Sequence, residues 1–485
     1  MVMAALLDEN RFSYSLNALS YDYLGEAKSE KLLTEAAVDF GVDPKAELWK
    51  LPSQFVGPYA EQDARLAFDL YKFFRVEISK ENLNTVFDLE TRLTPCLIDM
   101  TFRGIRVDME RCERTKQDLL KREKVILKQI KDMAGQDVEI WAAASLAKAF
   151  DKLKIKYART GTGQPSFTKS FLSEHPHEFA KLVVEARNLS KIQGTFVTSI
   201  MKYVSKEGRI HGHINQLRSD DGGTVSGRLS MANPNLQQIP ARDPELGPLI
   251  RSLFLPEEDE QWAAIDFSQQ EPRILTHYAS VFGEWKGSPL GGAKEFVDAY
   301  TNDPETDFHT MVAEMAQIPR KQAKTINLGM MYGMGVKKLS EQLDLDIDEA
   351  KSLTEQYHSR VPFVKQLMSG VSRSVDKKED GAIRSLKGRK CRFNMYEPIG
   401  YDLQKAMPKK EAKAAYGDTT PLRRAYTYKA LNRLIQASAA DMTKQAMVDL
   451  YEAGERPLLQ VHDELGCSVQ DLAHAKRIRE VMENA

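Results

Sequence analysis

The sequence predicts an α+β chain in which an antiparallel sheet is interrupted by a large helical insertion. Three observations predict it. After Gly208 the texture turns to short alternating runs, Arg209 to Leu217 and Trp262 to Phe267, bounded by turn residues such as Asp220, Asp221, Gly222 and Gly223. From Phe308 to about Ile435 helical periodicity takes over. From Leu458 to Val469 strand and hairpin character returns.

Ahead of the sheet the chain reads as helical. Short helices span Tyr14 to about Phe74, including Ser29 to Phe40 and a strongly periodic stretch from Ala64 to Phe74, as the small helical end of something larger. Glu110 to Ala134 is one long charged helix in which Leu119, Leu120, Ile126 and Ile130 recur at near-helical spacing. A second helical segment, Glu178 to Tyr203, follows the Gly- and Thr-rich loop Arg159 to Ser166, and the pair suggests a projecting arm. A chain of 485 residues is too long for one ordinary core and implies roughly three domains or subdomains.

Bulk composition excludes several classes. With 28% charged residues and a net charge of −1, the chain is not a generally basic nucleic-acid coat, so any such surface is a local patch. Cys96, Cys112, Cys391 and Cys467 form no CxxC pair, which argues against a disulfide framework or a cysteine zinc site and for a reduced, cytoplasmic setting. The apolar run Met1 to Leu7 lacks a basic leader and is too short to span a bilayer, so it reads as the middle of a buried element. No membrane partner is expected.

The chemistry-bearing residues lie at strand ends and on one helix. The strand ending in Ile265 delivers Asp266, with Glu271 at the opening of a helix; 197 residues after Asp266, the strand Leu458 to Val461 turns at His462, Asp463 and Glu464. Two carboxylates at adjacent strand ends suit a pair of Mg²⁺ ions, which take oxygen ligands in an octahedron shared with substrate phosphates. Singly, an acidic residue after a strand is more often a helix cap or a solvated turn. Arg320, Lys324, Leu328 and Tyr332 recur at i, i+4 and so line one helical face that drifts by about 40° per step. Two cations one turn apart can grip a triphosphate, with an apolar or aromatic residue beyond them for base and sugar. Gly329 and Gly333 leave room beside that face.

DFSQQEPR (266–273), RKQAKTINLGMMYG (320–333) and QVHDE (460–464) resemble motifs A, B and C of family A DNA polymerases, in the right order. TVSGRLSMANPNLQQIP (224–240) is similar to the family's primer–template segment, DFH (307–309) to the start of its fingers, and NRLIQASAAD (432–441) to its template-side helix. The resemblance covers nearly the whole chain and is closest to phage-type members. It implies a right-hand polymerase: palm with motif A at 206–300, fingers with motif B at 301–430, palm with motif C at 431–485, and a linker with helical thumb at 81–205. It further implies that Asp266 and Asp463 bind two Mg²⁺ ions, with Glu464 in support, and that Arg320, Lys324 and His309 contact the incoming dNTP, Lys324 as proton donor to the leaving group. Glu271 would exclude ribonucleotides, Tyr332 would sit near the nascent pair, and Arg228, Asn235, Gln238, Asn432, Gln436 and His462 would contact primer–template DNA.

The pattern is not uniform. Leu328 stands where the family usually carries Phe or Tyr, against the sugar of the incoming nucleotide, and Gln270 and Pro272 replace apolar residues common in motif A. PYAEQDARLAFDLY (58–71) resembles the last motif of a ribonuclease H-like 3′–5′ exonuclease, with Tyr59 and Asp63 one helical turn apart, so 1–80 reads as the C-terminal remnant of that domain. The acidic residues that complete such a site should precede it and are missing, which implies no proofreading by this chain unless a separate exonuclease-bearing chain supplies them. The family continues beyond the motif C hairpin, so the sequence reads as a fragment trimmed at both ends. Arg384, Lys387, Arg389, Lys390 and Arg392 form a basic run without an acid, read as a solvated turn with template backbone as a plausible partner. His211 and His213 read as strand residues, not metal ligands. Against DNA polymerisation stand a single-subunit RNA polymerase, disfavoured by Glu271 and TVSGRLS, and a non-catalytic DNA-binding derivative, which would need neither the aspartates nor the two cations. Replication proteins are the other partners such an enzyme would meet.

Overall fold

The computed structural model describes residues 1–239, 246–343, 345–400 and 405–485; Pro240, the last residue of the 224–240 segment, lies outside them. A three-stranded antiparallel sheet sits at its centre, with Glu464–Val469 in the middle, Pro457–Val461 on one side and Gln261–Asp266 on the other. Its register sets Glu464 against Asp266 and Leu465 against Ile265. Leu465, Cys467 and Val469 bury one face against the helices Asn84–Arg103, Ala430–Glu452 and Leu472–Glu483. Helices on one face of an antiparallel sheet make the α+β class that the sequence predicts.

The other strands do not join this sheet. Arg209–Ile210 pairs with Ile105–Val107, which also pairs with Phe254–Leu255, while His213–Asn215 pairs with Ser230–Ala232. One alternating stretch, Arg209 to Leu217, is thus split between two small sheets, because the chain turns at His211 and Gly212. The His211 ring sits 2.9 Å from the Thr101 carbonyl, and His213 lies on its strand. Within the insertion, helices are joined by strands that helical periodicity did not reveal: the hairpin Ala382–Arg384 with Lys390–Arg392, and the sheet Met395–Pro398, Met407–Pro408 and Leu422–Arg424. Strands of two to four residues are too short to show alternation.

Helices follow the sequence more closely. The charged helix spans Met109–Ala134 with Asp108 as N-cap and Gly135 in the left-handed conformation at its end. Glu178 to Tyr203 is continuous but carries a π-helical turn at Ile192–Val197, and the Arg159 to Ser166 loop closes into a short hairpin. The periodic stretch from Ala64 to Phe74 is the middle of one helix, Ser53–Lys80, whose Leu66, Leu70, Phe74 and Ile78 are buried.

The basic run overturns its sequence reading. Arg389 is 3% exposed; its Nε donates to Asp441 at 2.8 Å and its Nη2 to Glu90, while Lys444 Nζ donates to Glu90 at 2.7 Å. Lys390 pairs with Glu81 and Asp380, Arg392 with Glu9 and Glu81, and Arg384 donates to the carbonyls of Glu81 and Asn82. Arg389, Lys390 and Arg392 are thus held by carboxylates rather than solvated, while Arg384 is exposed but engaged by backbone carbonyls. They clamp the helices Ser53–Lys80 and Asn84–Arg103 to the Ala382–Arg392 hairpin. Among the described residues no helix is long and apolar enough to cross a membrane.

Candidate active site

Two pieces of backbone bring the carboxylates together. Gln261–Asp266 ends where the chain turns into Gln270–Lys286, and Gln269, left-handed at φ 52°, makes that turn tight. Its side chain accepts from Phe308 N at 2.8 Å and donates to the Thr306 carbonyl at 2.9 Å, so the turn is tied to the next helix, Phe308–Ala316. Pro457–Val461 and Glu464–Val469 are joined by only His462 and Asp463, with His462 at φ 61°. A two-residue hairpin loop needs positive φ, and a non-Gly residue there stores strain of a kind concentrated at functional sites. Phe267 N donates to the Asp463 carbonyl at 3.2 Å and fixes the turn beside the end of the Asp266 strand.

Glu464 stands directly across from Asp266, a like-charge pair that destabilises a sheet unless neutralised. Arg251 Nη1 answers Glu464 at 2.9 and 3.1 Å to its two oxygens. Among the described residues Asp266 has no such ion pair: desolvation among the packed strand ends, then the charges of Asp463 and Glu464, push its carboxyl up to about 6. Burial also raises Asp463. An all-oxygen donor set carrying excess negative charge fits Mg²⁺. Among the described residues no group of three or more His, Cys, Asp or Glu could cage a metal unaided, so substrate phosphates and water would have to complete the coordination, as is usual for Mg²⁺.

A cleft of about 630 Å³ opens beside them, lined among others by Arg228, Glu271, His309, Lys324, Leu328, Tyr332, His462 and Asp463. Glu271 is its most constrained carboxylate: Tyr332 Oη donates to Oε2 at 2.7 Å, and Arg228 Nη2 pairs with Oε1. Helix Arg320–Met331 supplies the opposite wall, with Lys324 exposed and Leu328 half-buried against the core. Arg320 is exposed and engaged, its Nε donating to Thr310 Oγ1 at 3.1 Å and its Nη2 pairing with Asp307. His309 is buried; desolvation first, with Lys324 and Arg320 adding to it and Asp307 opposing it, lowers the imidazole from the usual histidine range. Asn327 Nδ2 lies 3.0 Å from His309 Nδ1, which leaves Nε2 for a ligand.

Some expected neighbours stand apart. Asn235 and Gln238 are exposed at the turn Leu236–Gln238, where Asn235 caps Gln237 N at 3.1 Å, and Asn432 and Gln436 are half-buried one turn apart on Ala430–Glu452. None of the four lines the cleft. The room at the two glycines is filled by the chain itself: a Cβ at Gly329 would lie 3.1 Å from Met334 Sδ, and one at Gly333 3.2 Å from the Tyr428 ring. Tyr59 and Asp63 are engaged by Lys28, whose Nζ donates to Tyr59 Oη at 2.8 Å and Asp63 Oδ2 at 2.9 Å.

Sequence reasoning missed Asn327, Arg251 and the purpose of Gln270. Gln270 is buried and donates to Thr443 Oγ1 and the Ala439 carbonyl, both at 3.3 Å, which anchors the Asp266 turn on Ala430–Glu452. Asn327 carried one signal, an amide among the apolar positions of its helix. Arg251 carried none.

The sequence profile of DNA polymerase family A matches residues 109–485. A DNA-directed DNA polymerase of Pseudomonas phage M6 is 36% identical, the match covering 98% of this chain and 74% of the relative. DNA polymerase DpoZ of Salmonella phage PMBT28 is 31% identical over 100% of this chain and 80% of its own length, and DNA polymerase I of Helicobacter pylori strain J99 is 28% identical over 92% and 45%. Among solved structures, the polymerase domain of Pol1 from M. smegmatis, in complex with DNA primer-template and dNTP, matches with a TM-score of 0.76 and 26% identity, over 100% of this chain and 78% of that one.

Proposed function

The chain belongs to DNA polymerase family A and is a DNA-directed DNA polymerase, and from that premise we propose how its residues share the work of extending a primer with dNTPs. One observation carries the assignment: segments 266–273, 320–333 and 460–464, far apart in sequence, all contribute to one cleft. Residues 206–300 and 431–485 act as palm, 301–430 as fingers and 81–205 as linker and thumb.

Asp266 and Asp463 hold two Mg²⁺ ions, which when bound favour ionisation of the primer 3′-hydroxyl and offset charge on the departing pyrophosphate. Glu464, already held by Arg251, keeps the strand end in place rather than binding directly. Lys324, which forms no ion pair among the described residues, faces the triphosphate, opposes the charge that builds there and is the proton donor to the leaving group. Arg320 reaches the same phosphates by exchanging Asp307 for them, and His309 donates from Nε2. Glu271, pinned between Arg228 and Tyr332, forms a rigid wall against a 2′-hydroxyl. Tyr332 closes the cleft beside the nascent pair. Arg228 and His462 meet the duplex at the cleft edge, and Asn235, Gln238, Asn432 and Gln436 meet it beyond, through contacts that tolerate any base sequence.

Primer extension in Mg²⁺ tests this reading. A folded chain is expected to extend with dNTPs and to discriminate against rNTPs by at least about 10²-fold. A folded, DNA-binding chain that extends with neither, or with both equally, would sink it. At Leu328 an aliphatic side chain neither stacks nor hydrogen-bonds against the sugar, so Leu328→Phe is expected to change dideoxynucleotide use and incorporation rate by about tenfold, the scale of one aromatic contact. A variant that matches the parent in rate, fidelity and dideoxynucleotide use would remove Leu328 from the selectivity machinery.

Residues 1–80 have no proofreading role on this reading. The Lys28 ammonium sits against both Tyr59 and Asp63, where a hydrolytic site would need a metal ion.

A further inference from the structure

Residues 216–228 run from the strand His213–Asn215 back to the cleft at Arg228, and among the described residues their backbone makes one isolated bridge, Ser219 with Gly222. Backbone without a ladder takes its position from side chains and from steric contact. At the start of the segment Gln216 Nε2 donates to the Glu90 carbonyl at 2.6 Å and to Glu90 Oε2 at 2.7 Å, and the Gln216 carbonyl accepts from Lys444 Nζ at 2.9 Å. At its end Thr224 Oγ1 donates to the Arg228 carbonyl at 2.7 Å, and Gly227 turns at φ +83° directly over the Arg389 side chain. Both ends thus lean on the buried group Glu90, Arg389, Asp441 and Lys444.

Arg389 cannot give way. Its Nε donates to Asp441 at 2.8 Å and its Nη2 to Glu90, so swinging aside would leave charges buried without partners. A Cβ on Gly227 would stand 2.6 Å from Nε, 2.8 Å from Cζ and 2.9 Å from Cδ. The guanidinium and its stem therefore form a fixed floor, on which only a glycine at positive φ fits. Neutralising Glu90 needs a cation, and Lys444 Nζ also supplies one at 2.7 Å; the contact with Gly227 comes from the arginine fork itself.

The next residue carries this floor to the cleft. Arg228 Nη2 pairs with Glu271 Oε1 from the turn, while Tyr332 Oη donates to Oε2 at 2.7 Å from the end of helix Arg320–Met331. Glu271 is thus held from two sides, and lifting the turn at Gly227 moves one of them.

We propose that Arg389 is a positioning residue for sugar selection: by setting the height of the Gly227 turn it holds Arg228, and through Arg228 the Glu271 carboxylate, where the 2′-hydroxyl of a ribonucleotide would collide. Arg389 is buried and acts only through the turn. A group that meets substrate discriminates only as sharply as its support holds it, so a rigid floor matters as much as the carboxylate above it. The inference rests on the reading of Glu271 given above.

Single-nucleotide incorporation by the full chain, with kcat/KM measured for a dNTP and for the matching rNTP, tests it. Gly227→Ala leaves every charge of the buried group in place and sets a methyl against Arg389, so the turn must lift. The dNTP to rNTP ratio is expected to fall about tenfold, the worth of one hydrogen bond to a charged group. Arg389→Lys, which keeps the charge without the fork, should lower the ratio likewise and serves alone if Gly227→Ala does not fold. In an Arg228→Ala background, where the arm to Glu271 is already lost, neither change should lower the ratio further; starting from a parent ratio of about 10², a second independent tenfold fall would still be visible. A ratio that stays at the parent value while dNTP and rNTP use fall together marks a merely structural role and overturns the inference, as do falls that add to that of Arg228→Ala. A parent that uses both nucleotides equally would instead sink the reading of Glu271, and this inference with it.

Discussion

Asp266→Asn is expected to slow primer extension roughly 10³-fold, the loss of about 4 kcal/mol of transition-state stabilisation, while leaving the metal-free protein no less stable at neutral pH. Asn keeps the shape of the side chain and removes the charge that a metal site needs. The stability half follows from the raised carboxyl. A group moved from its ordinary 3.8 up to about 6 by folding contributes stability that is full below about 4 and is lost as pH rises through 6. Above that range the ionised carboxylate opposes folding, and Asn does not. Because Asp266 is open to solvent, the gain is set at about 1 kcal/mol or less. Unfolding in a chelator across pH 4 to 8 should show a slope in the parent that flattens in the variant. Equal slopes, or extension within tenfold of the parent, would remove Asp266 from the role assigned to it.

Asp441→Ala is expected to cost about 3–5 kcal/mol, more than any other single change proposed in this protein. Asp441, Glu90, Arg389 and Lys444 are buried together, with Ser385 donating to Asp441 and Gln216 Nε2 to Glu90 at 2.7 Å. Burial alone would raise Glu90, yet Lys444 and Arg389 hold it below the usual carboxylate range. Removing Asp441 strands Arg389 in the core with half its partners. Arg389 also lies directly under Gly227, where a Cβ would stand 2.6 Å from its Nε and φ is +83°, so the turn that presents Arg228 to the cleft rests on it. Urea unfolding measures the cost, with Lys444→Met, which leaves Glu90 its Arg389 partner, as the milder comparison. A cost for Asp441→Ala under about 1 kcal/mol would show that the cluster is not holding these elements together.

How much was legible follows from the range of each interaction. The face Arg320, Lys324, Leu328 and Tyr332 is periodic along one helix, so helix geometry alone aligned its members, of which Lys324, Leu328 and Tyr332 line the cleft, and the strand ends at Asp266 and Asp463 were marked by turns beside them. Those local patterns, with the order of three motifs, determined the α+β class and the family. The fate of a charge is not local. Arg389 looked like its basic neighbours in sequence, yet Glu90, 299 residues away, and Asp441, 52 residues away, draw it into the core. The same holds for Arg320, bound to Asp307, and for Lys28, bound between Tyr59 and Asp63. Sequence by itself marked which groups are of a kind to carry chemistry. Only the tertiary structure decided which of them are free to use it, because desolvating a charge is tolerated only where an opposite charge arrives from elsewhere in the chain.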